Sequence, residues 1–239
     1  MKRILVSLSI IGVAAAVAVG ATLAYFGDTE TSTGNTITAG SLDLKIDFQC
    51  EDGCTFSLRD LNGESFFRDC DIKPGDSGEV TISWHVFDNN AWGRIKMTEL
   101  ANYENGCLEP EAKEDTTCND PGLGEGELDD YLKFTLWMDE GETAGWQCPS
   151  NSNGPCPADP KEGDNILNGI ETVLAEPTPS QLLNGVVLPQ ELVGSTTYYL
   201  GMKWAIPFEV GNVVQSDSLV GKIVMEIVQS RNNPNPWTP

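Results

Sequence analysis

Val80-Thr81-Ile82-Ser83-Trp84-His85-Val86 alternates large apolar side chains with polar ones along its whole length. Successive side chains of a strand point to opposite faces. The run therefore buries Val80, Ile82, Trp84 and Val86 on one face and turns Thr81, Ser83 and His85 to the other. The same period of two recurs at Leu42, Leu44, Ile46 and Phe48, at Leu132, Phe134, Leu136 and Met138, at Tyr198, Leu200, Met202, Trp204 and Ile206, and at Ile223, Met225 and Ile227. Turn-forming pairs separate the runs: Pro74-Gly75, Asn89-Asn90, Asn105-Gly106, Pro121-Gly122, Asn168-Gly169 and Asn184-Gly185. Helical character is confined to one turn at Ser180 to Asn184, with Ser180 as its expected cap. These patterns predict an all-β protein, an antiparallel β-sandwich or barrel forming one domain over 39–239. The Gly-, Pro- and acid-rich stretches 104–127 and 141–163 are expected to be surface excursions from it.

Composition narrows the function. The chain has 239 residues, with 14 Lys+Arg against 36 Asp+Glu and a net charge of −22. Nucleic acid is excluded as the main partner, because that affinity is built on cations that displace phosphate counterions. The 6 Trp, 5 Tyr and 8 Phe require a core to bury them, so the acidity is not that of a disordered tail. The single histidine, His85, removes zinc sites that need two. It is expected at the surface or rim of its strand. Ser83 lies about 7 Å along the same face, too far for a direct hydrogen bond, so no catalysis is expected. Trp92, Trp137 and Trp146 fall in loops or on the face opposite their strand's apolar residues, where core packing against a second sheet or a loop is expected and stacking on matrix glycan is the alternative.

Met1-Lys2-Arg3 followed by an uncharged Ile4 to Ala24 predicts an export signal over 1–25, with a retained membrane anchor as its rival. Loss of Lys2 and Arg3 deepens the net charge from −22 to −24. The seven cysteines fit an oxidising compartment. Cys107 with Cys118 and Cys148 with Cys156 bracket short loops, and each bridge would stabilise by about 2–3 kcal/mol. Cys50, Cys54 and Cys70 then hold one further bridge, Cys70 with either Cys50 or Cys54. No cofactor is expected. Ca²⁺ is the one ion that the carboxylates Glu125, Glu127, Asp129 and Asp130 would suit, although no EF-hand loop is present and a solvated, self-repelling acidic surface is the favoured reading.

Motifs along most of the chain carry a resemblance. Phe26-Gly27-Asp28-Thr29-Glu30 directly follows the apolar segment, then Thr33-Gly34-Asn35-Thr36 and Ala39-Gly40-Ser41-Leu42-Asp43-Leu44. Lys73-Pro74-Gly75-Asp76-Ser77-Gly78 precedes the Val80–Val86 run and Asp88-Asn89-Asn90, and Gly126-Glu127-Leu128 precedes the run that ends at Met138. Tyr199 to Pro207 is followed by Gly211-Asn212 and Gln215-Ser216-Asp217. In this order the motifs resemble the TasA/camelysin family of secreted biofilm-matrix fibre proteins, including archaeal filament subunits. The resemblance implies a jelly-roll-like sandwich, cut before Phe26 by a signal peptidase and located in the extracellular matrix or at the cell surface. It also implies polymerisation with copies of itself. The N-terminal extension 26–38 then contains the donor strand, Phe26-Gly27-Asp28-Thr29-Glu30-Thr31-Ser32-Thr33-Gly34-Asn35-Thr36-Ile37, which pairs with the sheet edge of the next subunit. A matrix adhesin that never polymerises is the alternative reading, and a camelysin-like metalloprotease a weaker one. Repulsion between such acidic subunits predicts assembly that strengthens with salt or Ca²⁺.

Overall fold

The computed structural model describes residues 27–29, 42–50, 55–69, 71–143, 148–149 and 158–237. The strands are β1 (Gly27–Thr29), β2 (Leu42–Cys50), β3 (Thr55–Arg59), β4 (Ser77–Asp88), β5 (Ala91–Glu104), β6 (Gly122–Leu123), β7 (Lys133–Met138), β8 (Cys148–Pro149), β9 (Val173–Ala175), β10 (Val186–Val187), β11 (Thr196–Ala205) and β12 (Ser218–Gln229). All pair antiparallel, in two sheets. One sheet runs β1-β12-β5-β10, with β6 beside β5; the other runs β3-β2-β4-β11-β7-β9, with β8 beside β11. With the β2–β3 hairpin and the short β6 and β8 set aside, each sheet keeps four strands. The chain crosses between the sheets at the β1–β2, β4–β5, β6–β7, β9–β10, β10–β11 and β11–β12 connections, and β12 lies next to the N-terminal β1. This is the winding of a jelly roll. The expected all-β sandwich is therefore what forms.

The core lies between the sheets. Val80, Ile82, Trp84 and Val86 of β4 meet Leu44 and Ile46 of β2, and Tyr198, Leu200, Met202 and Trp204 of β11, all at most 5% exposed. Ile95, Met225 and Ile227 close it from the other sheet. The five alternating runs fall on β2, β4, β7, β11 and β12. β5, the longest strand at 14 residues, was not among them. Two of its inward positions are Ala91 and Gly93, and a side chain at Gly93 would collide with Leu192, Leu188 and Trp84. The single-turn helix is Pro179–Leu182, capped by Thr178 rather than Ser180: Thr178 Oγ1 accepts from Gln181 N and Gln181 Oε1 from Thr178 N. A second turn spans Leu128–Tyr131.

The outer face of the larger sheet corrects two expectations, the exposure of His85 and the surface reading of the 141–163 insert, and bears out packing for Trp137. Thr81, Ser83, Thr197, Tyr199 and Trp137 are at most 6% exposed, and His85 is fully buried. His85 Nδ1 lies 3.0 Å from Thr197 Oγ1 and Nε2 lies 3.4 Å from Asp47 Oδ1, so it is an enclosed structural residue and not a rim residue. Trp137 is likewise buried, and Trp92 is half-buried with its Nε1 donating to Asn233 O at 2.8 Å. Trp146 lies outside the described residues. Part of the 141–163 insert is a lid on this face: Gly163 packs on the Tyr199 ring, and Glu162 is fully buried.

Asp139 ties that lid down. Its carboxylate accepts from Thr81 Oγ1 at 2.9 Å and from the N–H groups of Gly163 and Asn165, both at 3.1 Å. Burial nevertheless pushes its pKa up to about 7; the Thr81 and Asn165 hydrogen bonds oppose this, and Glu171 and Asp164 add to it. The folded state thus holds a proton that the unfolded state releases near pH 4, and stability falls as pH rises from about 4 to 7. Asp139→Asn should flatten this loss by about 2–4 kcal/mol, read as urea stability at pH 5 against pH 8. An unchanged pH slope in the variant would show that Asp139 is ionised throughout.

Candidate functional site

β12 has two unequal flanks. Toward β5 it is paired from Ser218 to Gln229, with an irregularity between Val220 and Lys222. On the other flank, among the described residues, β1 alone pairs with it, with Gly27, Asp28 and Thr29 opposite Val228, Ile227 and Glu226. Among the described residues no strand lies along Ser218–Met225 on that side. Val220 is 60% exposed there, beside exposed Gly221 and Lys222. An antiparallel strand turns half of its backbone N–H and C=O groups to each flank, so this stretch, which no described strand covers, can take another strand about 27 Å long.

The frame behind this edge is fixed. Arg94 and Lys96 of β5 both reach the Glu226 carboxylate, each at 2.6 Å. Burial alone would raise the Glu226 pKa, but the two cations outweigh it and hold the carboxyl below its ordinary range. The Arg94 guanidinium also stacks 4.0 Å from the Trp237 ring centroid. The chain end is thereby clamped to the outer face of β5, and β12 cannot drift from it.

Of the expected donor strand, Gly27, Asp28 and Thr29 form β1; Phe26 and Glu30 to Ile37 lie outside the described residues. Cys107 and Cys118 are joined, with Cα atoms 4.9 Å apart. The side chains of Cys50, Cys54, Cys70, Cys148 and Cys156 lie outside the described residues. The four acidic residues read as Ca²⁺ ligands do not converge. Glu125 and Asp130 are exposed, and Asp129 accepts from Asn102 Nδ2 and Ser180 Oγ, which fixes the Leu128–Tyr131 turn. Glu127 alone turns inward, toward Glu104 and Asp217. Residues 1–25 lie outside the described residues, and no described helix is long and apolar enough to cross a membrane. No protein-family model matches this chain, and no curated protein matches it significantly.

Proposed function

We propose that this protein is a secreted structural subunit that polymerises into extracellular filaments, each subunit lending its N-terminal segment as a strand to the next. The observation that carries this reading is the first-strand position of the jelly roll. Among the described residues it is occupied by Gly27–Thr29 alone, from the segment that directly follows the expected export signal. If the antiparallel register of β1 is continued, Phe26 falls opposite Gln229 and Ile37 opposite Ser218. The twelve-residue donor stretch thus matches β12 end to end.

A strand that fills this position in its own subunit closes the sheet and leaves a monomer. The same strand placed in a neighbour repeats the contact without closing it, and a heterologous contact that does not close makes a filament. Backbone pairing supplies most of the contact, because the donor is hydrophilic between Phe26 and Ile37. The buried Trp137 and the tethered Trp92 weaken the glycan-stacking alternative. The enclosure of His85 weakens the protease alternative. Electron microscopy of protein beginning at Phe26 tests the reading. Regular filaments are expected; monomers that persist at high protein and salt concentration would leave the adhesin.

A further inference from the structure

Five carboxylates from four separate parts of the chain meet where β5 ends and β12 begins. Glu104 closes β5, Glu111 and Asp115 come from the disulfide-bridged loop, Glu127 precedes a helical turn, and Asp217 precedes β12. One oxygen each of Glu104, Glu111 and Asp115 lies within 4.8 Å of the others, and the same holds for Glu104, Glu127 and Asp217. Glu104 is shared, so the two triads adjoin.

Their hydrogen bonds divide each carboxylate in the same way. Glu104 Oε1 accepts from Gly106 N, Glu111 Oε2 from Leu108 N and Ser216 Oγ, and Asp115 Oδ1 from Thr117 N and Oγ1. Glu127 Oε1 accepts from Thr117 Oγ1, and Asp217 Oδ2 from Glu127 N and Leu128 N. The second oxygen of every one of the five is buried without a partner. Glu104, Glu111 and Asp115 are 2%, 0% and 5% exposed, and among the described residues no Lys or Arg pairs with any of the five. Unpaired buried charge of this density is costly. Burial raises the pKa of Glu104, Glu127 and Asp217.

We infer that these five residues form a Ca²⁺ site that pins the 105–127 loop to the base of the β5–β12 ribbon. The donors are all hard oxygens of irregular arrangement, which suits the six to eight ligands that Ca²⁺ takes, with water completing the shell. Mg²⁺ demands a stricter octahedron. Zn²⁺ would need nitrogen or sulfur, and the nearby Cys107 and Cys118 are consumed by their disulfide. The inference does not depend on filament formation.

The test is calcium titration of the purified protein after dialysis against EDTA, by calorimetry and thermal melting, with Mg²⁺ and NaCl at matched ionic strength. Saturable Ca²⁺ binding is expected, with a rise in Tm of at least about 5 °C at hundredfold excess over Kd. The variant Glu104→Gln with Asp217→Asn should lose that rise, while its calcium-free Tm stays the same or increases because two repelling charges are gone. No saturable binding overturns the site. An equal rise with Mg²⁺ or NaCl also overturns it, by showing that general screening suffices. A variant that binds Ca²⁺ like the parent does so too, because the ion would then sit elsewhere on the acidic surface.

Discussion

Protein lacking Phe26 to Asn35 is expected to remain a folded monomer and to form no filaments under conditions where the chain beginning at Phe26 forms them. The fold should survive because the deleted stretch contributes only Gly27–Thr29 to the described sandwich, whereas the core between β4, β11 and β12 is untouched. Its Tm should stay within about 5 °C of the parent, the effect of roughly 1–2 kcal/mol in a domain of this size. Adding a synthetic peptide of residues 26–37 in excess should cap the β1 flank of β12 and suppress filament growth by the parent at least about tenfold, since each capped subunit loses its acceptor edge. A scrambled peptide of the same composition carries the same charge and should not. The two arms separate causes. Filaments formed by the trimmed protein would sink donor-strand assembly outright. Suppression by both peptides would assign the effect to added negative charge and not to strand pairing.

The fold was legible where inward residues are large, and illegible where they are small or the covering element is polar. β4 and β11 announced themselves through Ile82, Trp84, Leu200 and Trp204. β5 did not, because Ala91 and Gly93 make room for Leu188 and Leu192 and because the left-handed backbone at Glu99 (φ 51°) interrupts the run. Alternation reports hydrophobicity and not coverage. Thr81, Ser83 and His85 therefore read as solvent-facing although a lid holding Asp159, Glu162 and Asn165 closes over that face through backbone N–H groups and carboxylates. The carboxylate cluster was hidden for a different reason. Glu111, Asp115 and Glu127 share one acid-rich stretch, but Glu104 closes β5 and Asp217 precedes β12, so spacing does not select them, and the Leu128–Tyr131 turn sends Asp129 to Asn102 and Ser180 instead. The pairing of Gly27–Thr29 with β12 was not legible either, because pairing partners in a jelly roll are set by winding and not by local pattern.

Gly201→Ala should destabilise the protein by about 3 kcal/mol, a loss of about 6–12 °C in Tm, although it adds one methyl group in a strand. Gly201 sits on β11 between Thr81 of β4 and Trp137 of β7, with its missing side chain on the lidded outer face. A Cβ there would fall inside the Trp137 indole, against its Cε2, Cζ2 and Cδ2 atoms, far closer than any real contact. The ring cannot swing aside into solvent, because Trp137 is fully buried. Relief requires moving the lid or spreading β7 from β11, and both disturb close-packed neighbours. Ordinary propensity points the other way, since glycine in a strand interior costs about 0.5–1 kcal/mol relative to alanine. The sign of the effect is therefore diagnostic. Trp137→Ala alone should cost about 3–5 kcal/mol through the cavity it leaves. In that background Gly201→Ala should become neutral or stabilising, giving a coupling of about 3 kcal/mol across the pair. Equal costs in the two backgrounds would mean that Trp137 does not lie on Gly201, and with that the buried outer face would have to be abandoned in favour of an exposed aromatic surface.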